Sequence, residues 1–200
     1  MAFAELRIIV VVYLSVIIPI IVLLTLKRRN ELPTSILKIY IYSFLICALG
    51  WELWFTYGWI SGDPVDIRRS EILNYFIPKN INWLMNALGD AGIVCLGGLL
   101  ITSKLLAKEQ SILDRWSWKV FLVLLIWCIG QNIFVEMFLY YDQLAAGKSL
   151  SWAPLAPTGP WLNPVLFDFN DRTITLQSQI PWILMTPILY KLSIYLHRKS

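Results

Sequence analysis

Five apolar stretches, each long enough to cross a bilayer, leave this chain few ways to fold. A spanning helix needs about 20 mostly apolar residues. Lipid offers no partners to backbone N–H and C=O groups, so such runs become helices. The runs predict helices over roughly 6–26, 36–60, 81–105, 118–141 and 179–196. The expected fold class is all-α: a polytopic membrane helix bundle with five transmembrane helices, in a single integral membrane domain over 1–200. A content of 58% hydrophobic and 15% charged residues excludes an ordinary soluble domain. The first run lacks a flanking positive n-region and a small-residue cleavage site, so it reads as an anchor, not a signal peptide. Pro19 within it predicts a kink.

Two connections are long. Residues 61–80 read as an outer loop with a short amphipathic turn. Residues 142–178 carry Pro154, Pro157, Pro160 and Pro164 among Trp152, Trp161 and Phe167, and read as an ordered outer cap. Within it, WLNPVLFDF is a candidate to dip back into the bilayer. The short turns after the first and third runs hold Lys27, Arg28, Arg29, Lys38, Lys104, Lys108, Arg115 and Lys119. With the His197–Lys199 tail they place the C-terminus in the cytoplasm and the N-terminus outside. The net charge of +4 is spread over these loops without a dense tract, so nucleic acid is not an expected partner. Cys47, Cys95 and Cys128 lie inside apolar runs and read as small packing residues. The only histidine, His197, is in the basic tail, so no His/Cys metal cluster is expected.

Three acids interrupt the apolar runs: Glu52, Asp90 and Glu136. A carboxylate in the bilayer centre costs about 2.5–3.5 kcal/mol even on the mildest scale, and intramembrane acids mark functional sites. With the predicted topology and a rise of 1.5 Å per residue, Glu52 and Asp90 lie about 12–13 Å below the outer edge and Glu136 about 8 Å. Polar residues repeat at helical spacing beside two of the acids and on the fifth run: Asn82, Asn86 and Asp90; Asn132, Glu136 and Tyr140, with Gln131 beside them; Gln179, Trp182, Thr186 and Tyr190. These stripes are expected to face one another around a polar pocket in the outer half. Trp51, Trp54, Tyr57 and Trp59 surround Glu52, Trp83 opens the third helix, and Trp161 lies in the cap. Electron-rich rings stabilise cations by about 0.5–2 kcal/mol each.

A dry interior and a like-charged neighbour both favour the neutral form of a carboxyl. A neutral acid beside an ionised one is the pair that an acid/base cyclisation or isomerisation uses. The sequence therefore proposes Glu52, Asp90 and Glu136 as catalytic. Trp51, Trp54, Tyr57, Asn82, Trp83, Asn86, Gln131, Asn132, Tyr140, Trp161 and Trp182 are proposed to bind substrate, with no metal and no cofactor. Asp168 and Asp171 form a DxxD pair that could hold Mg²⁺ on a diphosphate, but the pattern is short and common. Two other classes stay open. A proton-coupled carrier or channel also uses intramembrane acids, though it needs polarity across the whole thickness, where the inner half offers little beyond Ser43 and Thr102. A non-catalytic lipid-binding subunit would tolerate carboxyl-to-amide changes.

The stretch ALGWELWFTYGWI, with its Trp51–Glu52 pair, resembles the integral-membrane terpene cyclases of meroterpenoid and indole-terpenoid pathways. The resemblance implies that Glu52 protonates an epoxide or alkene and that a second carboxylate, Asp90 or Glu136, assists. The segment around Trp83 and Asp90 is loosely similar to that family's next helix. The fungal members have seven spans where this sequence predicts five. GQNIFVEMFLYY in the fourth run is similar to a helix of the emopamil-binding sterol isomerases, whose histidine has no counterpart here. Both resemblances imply proton-initiated chemistry on a hydrophobic isoprenoid or polycyclic lipid drawn from the membrane.

Overall fold

The structure, a computed structural model, describes residues 3–57, 69–106, 111–139, 164–169 and 172–199. It is mostly helical, with seven helices among the described residues. In chain order these are α1 (Phe3–Arg28), α2 (Thr34–Leu49), α3 (Trp51–Tyr57) and α4 (Glu71–Phe76). They continue with α5 (Lys79–Leu106), α6 (Trp118–Leu139) and α7 (Leu176–Arg198). α1, α5 and α6 are long and apolar enough to cross a membrane, and α2 with α3 makes a fourth candidate if the bent pair is one span. In α7, Gln177, Gln179, Pro181, Pro187 and Lys191 dilute the apolar run.

The apolar pattern explains how the rods pack. On α1, Ile8, Val12 and Val16 recur every fourth residue and are buried against Leu73, Ile77 and Met85. The other faces of α1, including Leu14, Ile17, Ile21 and Leu24, stay exposed, as a lipid-facing surface would. The largest core cluster joins α2, α5, α6 and α7 through residues such as Ile39, Cys95, Leu124 and Leu189. α1 runs on through Pro19 without a break. Its proline ring presses on α5: a Cβ added to Gly92 would sit 2.5 Å from Pro19 Cβ and Cγ, so only glycine lets the two helices approach this closely.

Four departures from the sequence expectation bear on the site. The second run is not one helix to residue 60: it breaks at Gly50 and bends by 40°. A Cβ on Gly50 would lie 2.6 Å from Ile46 O, so the break depends on the missing side chain. The bend leaves Ala48 O in need of a donor, and Trp83 Nε1 supplies it at 2.8 Å.

Next, α5 and α6 each change from α to π winding, over Asp90–Leu96 and Val135–Leu139. Such i→i+5 turns are rare and concentrate at functional sites.

Third, the connection 61–80 contains the full helix α4 and the start of α5, so it is not simply loop. Ser70 caps α4, accepting from Leu73 N at 3.3 Å. Arg69, expected in a solvated outer loop, is buried, and its Nη2 donates to Leu73 O and Ile77 O at 2.7 and 2.8 Å. It answers carbonyls that the short helix leaves open.

Finally, the cap 142–178 is not all loop. β1 (Val165–Phe169) and β2 (Arg172–Thr175) pair antiparallel, and α7 begins at Leu176. The strands carry β-branched and aromatic residues such as Val165, Phe167, Phe169, Thr173 and Ile174. Residues 164–168 are exposed, and this part of WLNPVLFDF is a strand in a hairpin. The all-α expectation is corrected to a helical fold with one small hairpin.

Candidate functional site

The bend at Gly50 starts α3 and places Trp51 and Glu52 in its first turn. Glu52 is 6% exposed and Thr56, one helical turn on, is fully buried. α3 packs against the first half of α5, which carries Asn82, Asn86 and Asp90 at four-residue intervals. Trp51 Nε1 donates to Asp90 Oδ2 at 3.0 Å, so the residue preceding one acid orients the other. Both carboxyls lie in the neighbourhood of the buried Cys47 thiol, as does Cys95. Glu52 and Asp90 thus share a neighbour on α2. Cys128, on α6, lies near Asp90 and Thr186. All three cysteines are buried and free, in keeping with the packing role expected of them.

Glu136 belongs to a second polar group. Its Oε2 accepts from Gln179 Nε2 at 3.0 Å. Asn132 Nδ2 donates to Gln179 Oε1 at 2.8 Å and to Ser178 O at 3.2 Å. The stripe Asn132–Glu136 expected on the fourth helix therefore does meet the α7 stripe, and the three side chains fasten α6 to α7. The two groups are joined by rings: Trp182, one turn after Gln179, is buried with its ring centroid 5.0 Å from that of Trp51.

The aromatic and amide residues sort into different tasks. Trp51 and Trp182 lie beside the acids. Trp54 is half-buried on α3. Trp83 is committed to Ala48 O, so it holds the bend. Tyr57 is exposed, donates to Asn80 Oδ1 at 2.8 Å and has Lys79 Nζ 5.3 Å from its ring centroid, which turns it toward the end of the bundle. Gln131 donates to Cys128 O of its own helix at 2.9 Å. Tyr140, Trp161 and Asp171 lie outside the described residues, and Asp168 is exposed on β1.

The cleft where α3 packs on α5 gathers several buried polar atoms without partners. Asn82 is fully buried, yet neither its Nδ2 nor its Oδ1 has a partner among the described residues. Thr56 Oγ1 and Asn86 Oδ1 share that condition. The sequence analysis passed over Thr56, although its four-residue spacing from Glu52 was the available signal. The π segments at Asp90 and Glu136 left no such signal, because a π turn has no distinctive composition. No family model, curated protein or solved structure matches this chain.

Proposed function

We propose that this chain is a membrane enzyme that protonates an isoprenoid-type lipid and so cyclises or isomerises it. Glu52 acts as the general acid, and Asp90 is its carboxyl partner. The observation that carries the reading is that a buried Glu52 and an indole-oriented Asp90 share Cys47 as a neighbour, beside the paired rings of Trp51 and Trp182. A buried acid can hold its proton for delivery to an alkene or epoxide. Neighbouring ring faces stabilise the cation that results. The resemblance of the Trp51–Glu52 segment to membrane terpene cyclases agrees with this assignment. Glu136 is read here as a positioning group, since its carboxylate is tied to Gln179.

The same reading makes α7 a fifth span beside α1, α2–α3, α5 and α6, with the N-terminus outside and the C-terminus cytoplasmic. The Lys/Arg bias of the short turns supports that orientation. The test is deuterium delivery. Protein in nanodiscs is incubated in D₂O with a panel of polyprenyl alkenes and epoxides. From an alkene, proton-initiated chemistry leaves one deuteron on product carbon; from an epoxide the proton ends on an exchangeable hydroxyl, and the cyclised product itself is the readout. Glu52→Gln keeps the shape of the side chain and should cut incorporation about 10²–10⁴-fold. Undiminished incorporation in that variant removes the assignment.

A second reading, a proton-coupled carrier, draws on one observation. Ser43 and Thr102, the polar residues of the inner half, are fully buried, and their hydroxyls have no partner among the described residues. Proton flux into liposomes that needs Glu52 but no lipid substrate would favour it.

A further inference from the structure

A buried polar atom without a partner forfeits about 1–3 kcal/mol, so native proteins keep few of them. Here they gather. Asn82 contributes Nδ2 and Oδ1, Asn86 contributes Oδ1 and Thr56 contributes Oγ1. Asn82 and Thr56 are fully buried and Asn86 is 7% exposed. The two asparagines are four residues apart on α5, and Thr56 is on α3, which packs against the same half of α5. Between α6 and α7 the polar side chains are used: Asn132, Gln179 and Ser178 all hydrogen-bond. Tyr40, Ser43 and Thr102 also carry buried hydroxyls without a partner among the described residues, one atom each, whereas four such atoms lie on the packed pair α3 and α5.

We propose that the α3–α5 cleft is a binding site for the neutral hydroxyl of a lipid alcohol, held by Asn82, Asn86 and Thr56. The chemistry of the three side chains selects the group. An amide presents both a donor and an acceptor, and a threonine hydroxyl does the same. A hydroxyl is the small group that answers both at once. An anionic head is disfavoured, because Glu52 lies one turn before Thr56 and Asp90 one turn after Asn86. A bare hydrocarbon is disfavoured because it would leave every one of these atoms unpaired. Trp51 and Trp182 lie beyond Asp90, so the chain of the alcohol would extend toward their rings. The inference rests on the proposed function only for the isoprenoid nature of that chain.

The test compares farnesol with farnesene, which share a chain and differ in the hydroxyl. Each is titrated into nanodiscs holding the full-length protein, with concentration expressed as mole fraction in the bilayer, and binding is read from intrinsic tryptophan fluorescence. The native protein should bind farnesol at least about tenfold more tightly than farnesene, the equivalent of one to two net hydrogen bonds. Asn82→Leu should abolish that preference while farnesene binds unchanged. Thr56→Val, nearly isosteric, should reduce the preference even if Asn82→Leu fails to fold. Equal binding of the two probes by the native protein overturns the proposal. A preference that survives both substitutions overturns the assignment to these residues. Because no turnover is measured, the result is independent of the deuterium experiment: a lost hydroxyl preference with intact chemistry refutes this site alone, and the reverse refutes the catalytic reading alone.

Discussion

The α3–α5 cleft and the α6–α7 seam are both polar, buried and arranged around a carboxyl, and they treat that polarity in opposite ways. In the seam, Glu136, Gln179, Asn132 and Ser178 satisfy one another across two helices. Interhelical hydrogen bonds of this kind contribute about 0.6 kcal/mol each on average within membranes. In the cleft, Asn82, Asn86 and Thr56 retain open donors and acceptors beside Glu52 and Asp90. Polarity that closes on itself stabilises a fold. Polarity left open costs stability and is retained where something else completes it. On the proposed reading the three acids divide into a structural one, Glu136, and two, Glu52 and Asp90, beside a site.

The largest effect expected to sharpen this contrast is on activity. Glu52→Gln should cost about 10²–10⁴ in turnover, as the loss of a general acid does. Glu136→Gln keeps a side chain of the same shape that can still bond an amide partner, and should retain turnover within about fivefold, far from the loss of a general acid. Parallel rate measurements on the two variants decide it, and equal losses would erase the distinction between the regions.

Stability gives the next effect. Gln179→Leu removes the donor to Glu136 Oε2 and leaves a buried carboxyl oxygen with one partner fewer. It should destabilise the fold by about 1–3 kcal/mol, measured by steric trapping or thermal unfolding in detergent. A neutral result would show that the seam is not a fastening.

A smaller effect separates the bend from the cleft. Trp83→Phe keeps the ring but loses the donor to Ala48 O. It should cost about 1 kcal/mol of stability, and it should leave the kinetic effect of Glu52→Gln unchanged. If Trp83→Phe instead alters substrate affinity with no loss of stability, the indole lines the site as the sequence analysis expected.

These two regions also show what could be read from the sequence. The rods α1, α5 and α6 follow from their apolar runs, because lipid fixes length and composition together. The stripe Asn82–Asn86–Asp90 follows from helical spacing, and so does the meeting of Asn132 and Glu136 with α7. The bend was not legible. A glycine inside a helical pattern is tolerated, and only the contact a Cβ would make with Ile46 O shows that the break needs a glycine at position 50. The task of Trp83 was hidden for the same reason, since the carbonyl it serves lies at the bend. Nor could the sequence tell an open amide from a closed one. Asn82 and Asn132 look alike in a helical stripe, and the difference is whether a facing helix brings a partner.

That pair supplies the most direct test of the central claim, that buried polarity serves the fold in the seam and awaits a ligand in the cleft. The measurement is the unfolding free energy, without added ligand, of Asn82→Leu and Asn132→Leu, two changes of similar volume at buried or half-buried positions. Asn132→Leu should lose about 1–2 kcal/mol, because two bonds to α7 disappear. Asn82→Leu should be neutral or stabilising by about 1 kcal/mol, because it removes unpaired polar atoms from a buried place. Opposite signs, or a clear loss in the seam alone, are the predicted result. Equal destabilisation by both substitutions would contradict the account.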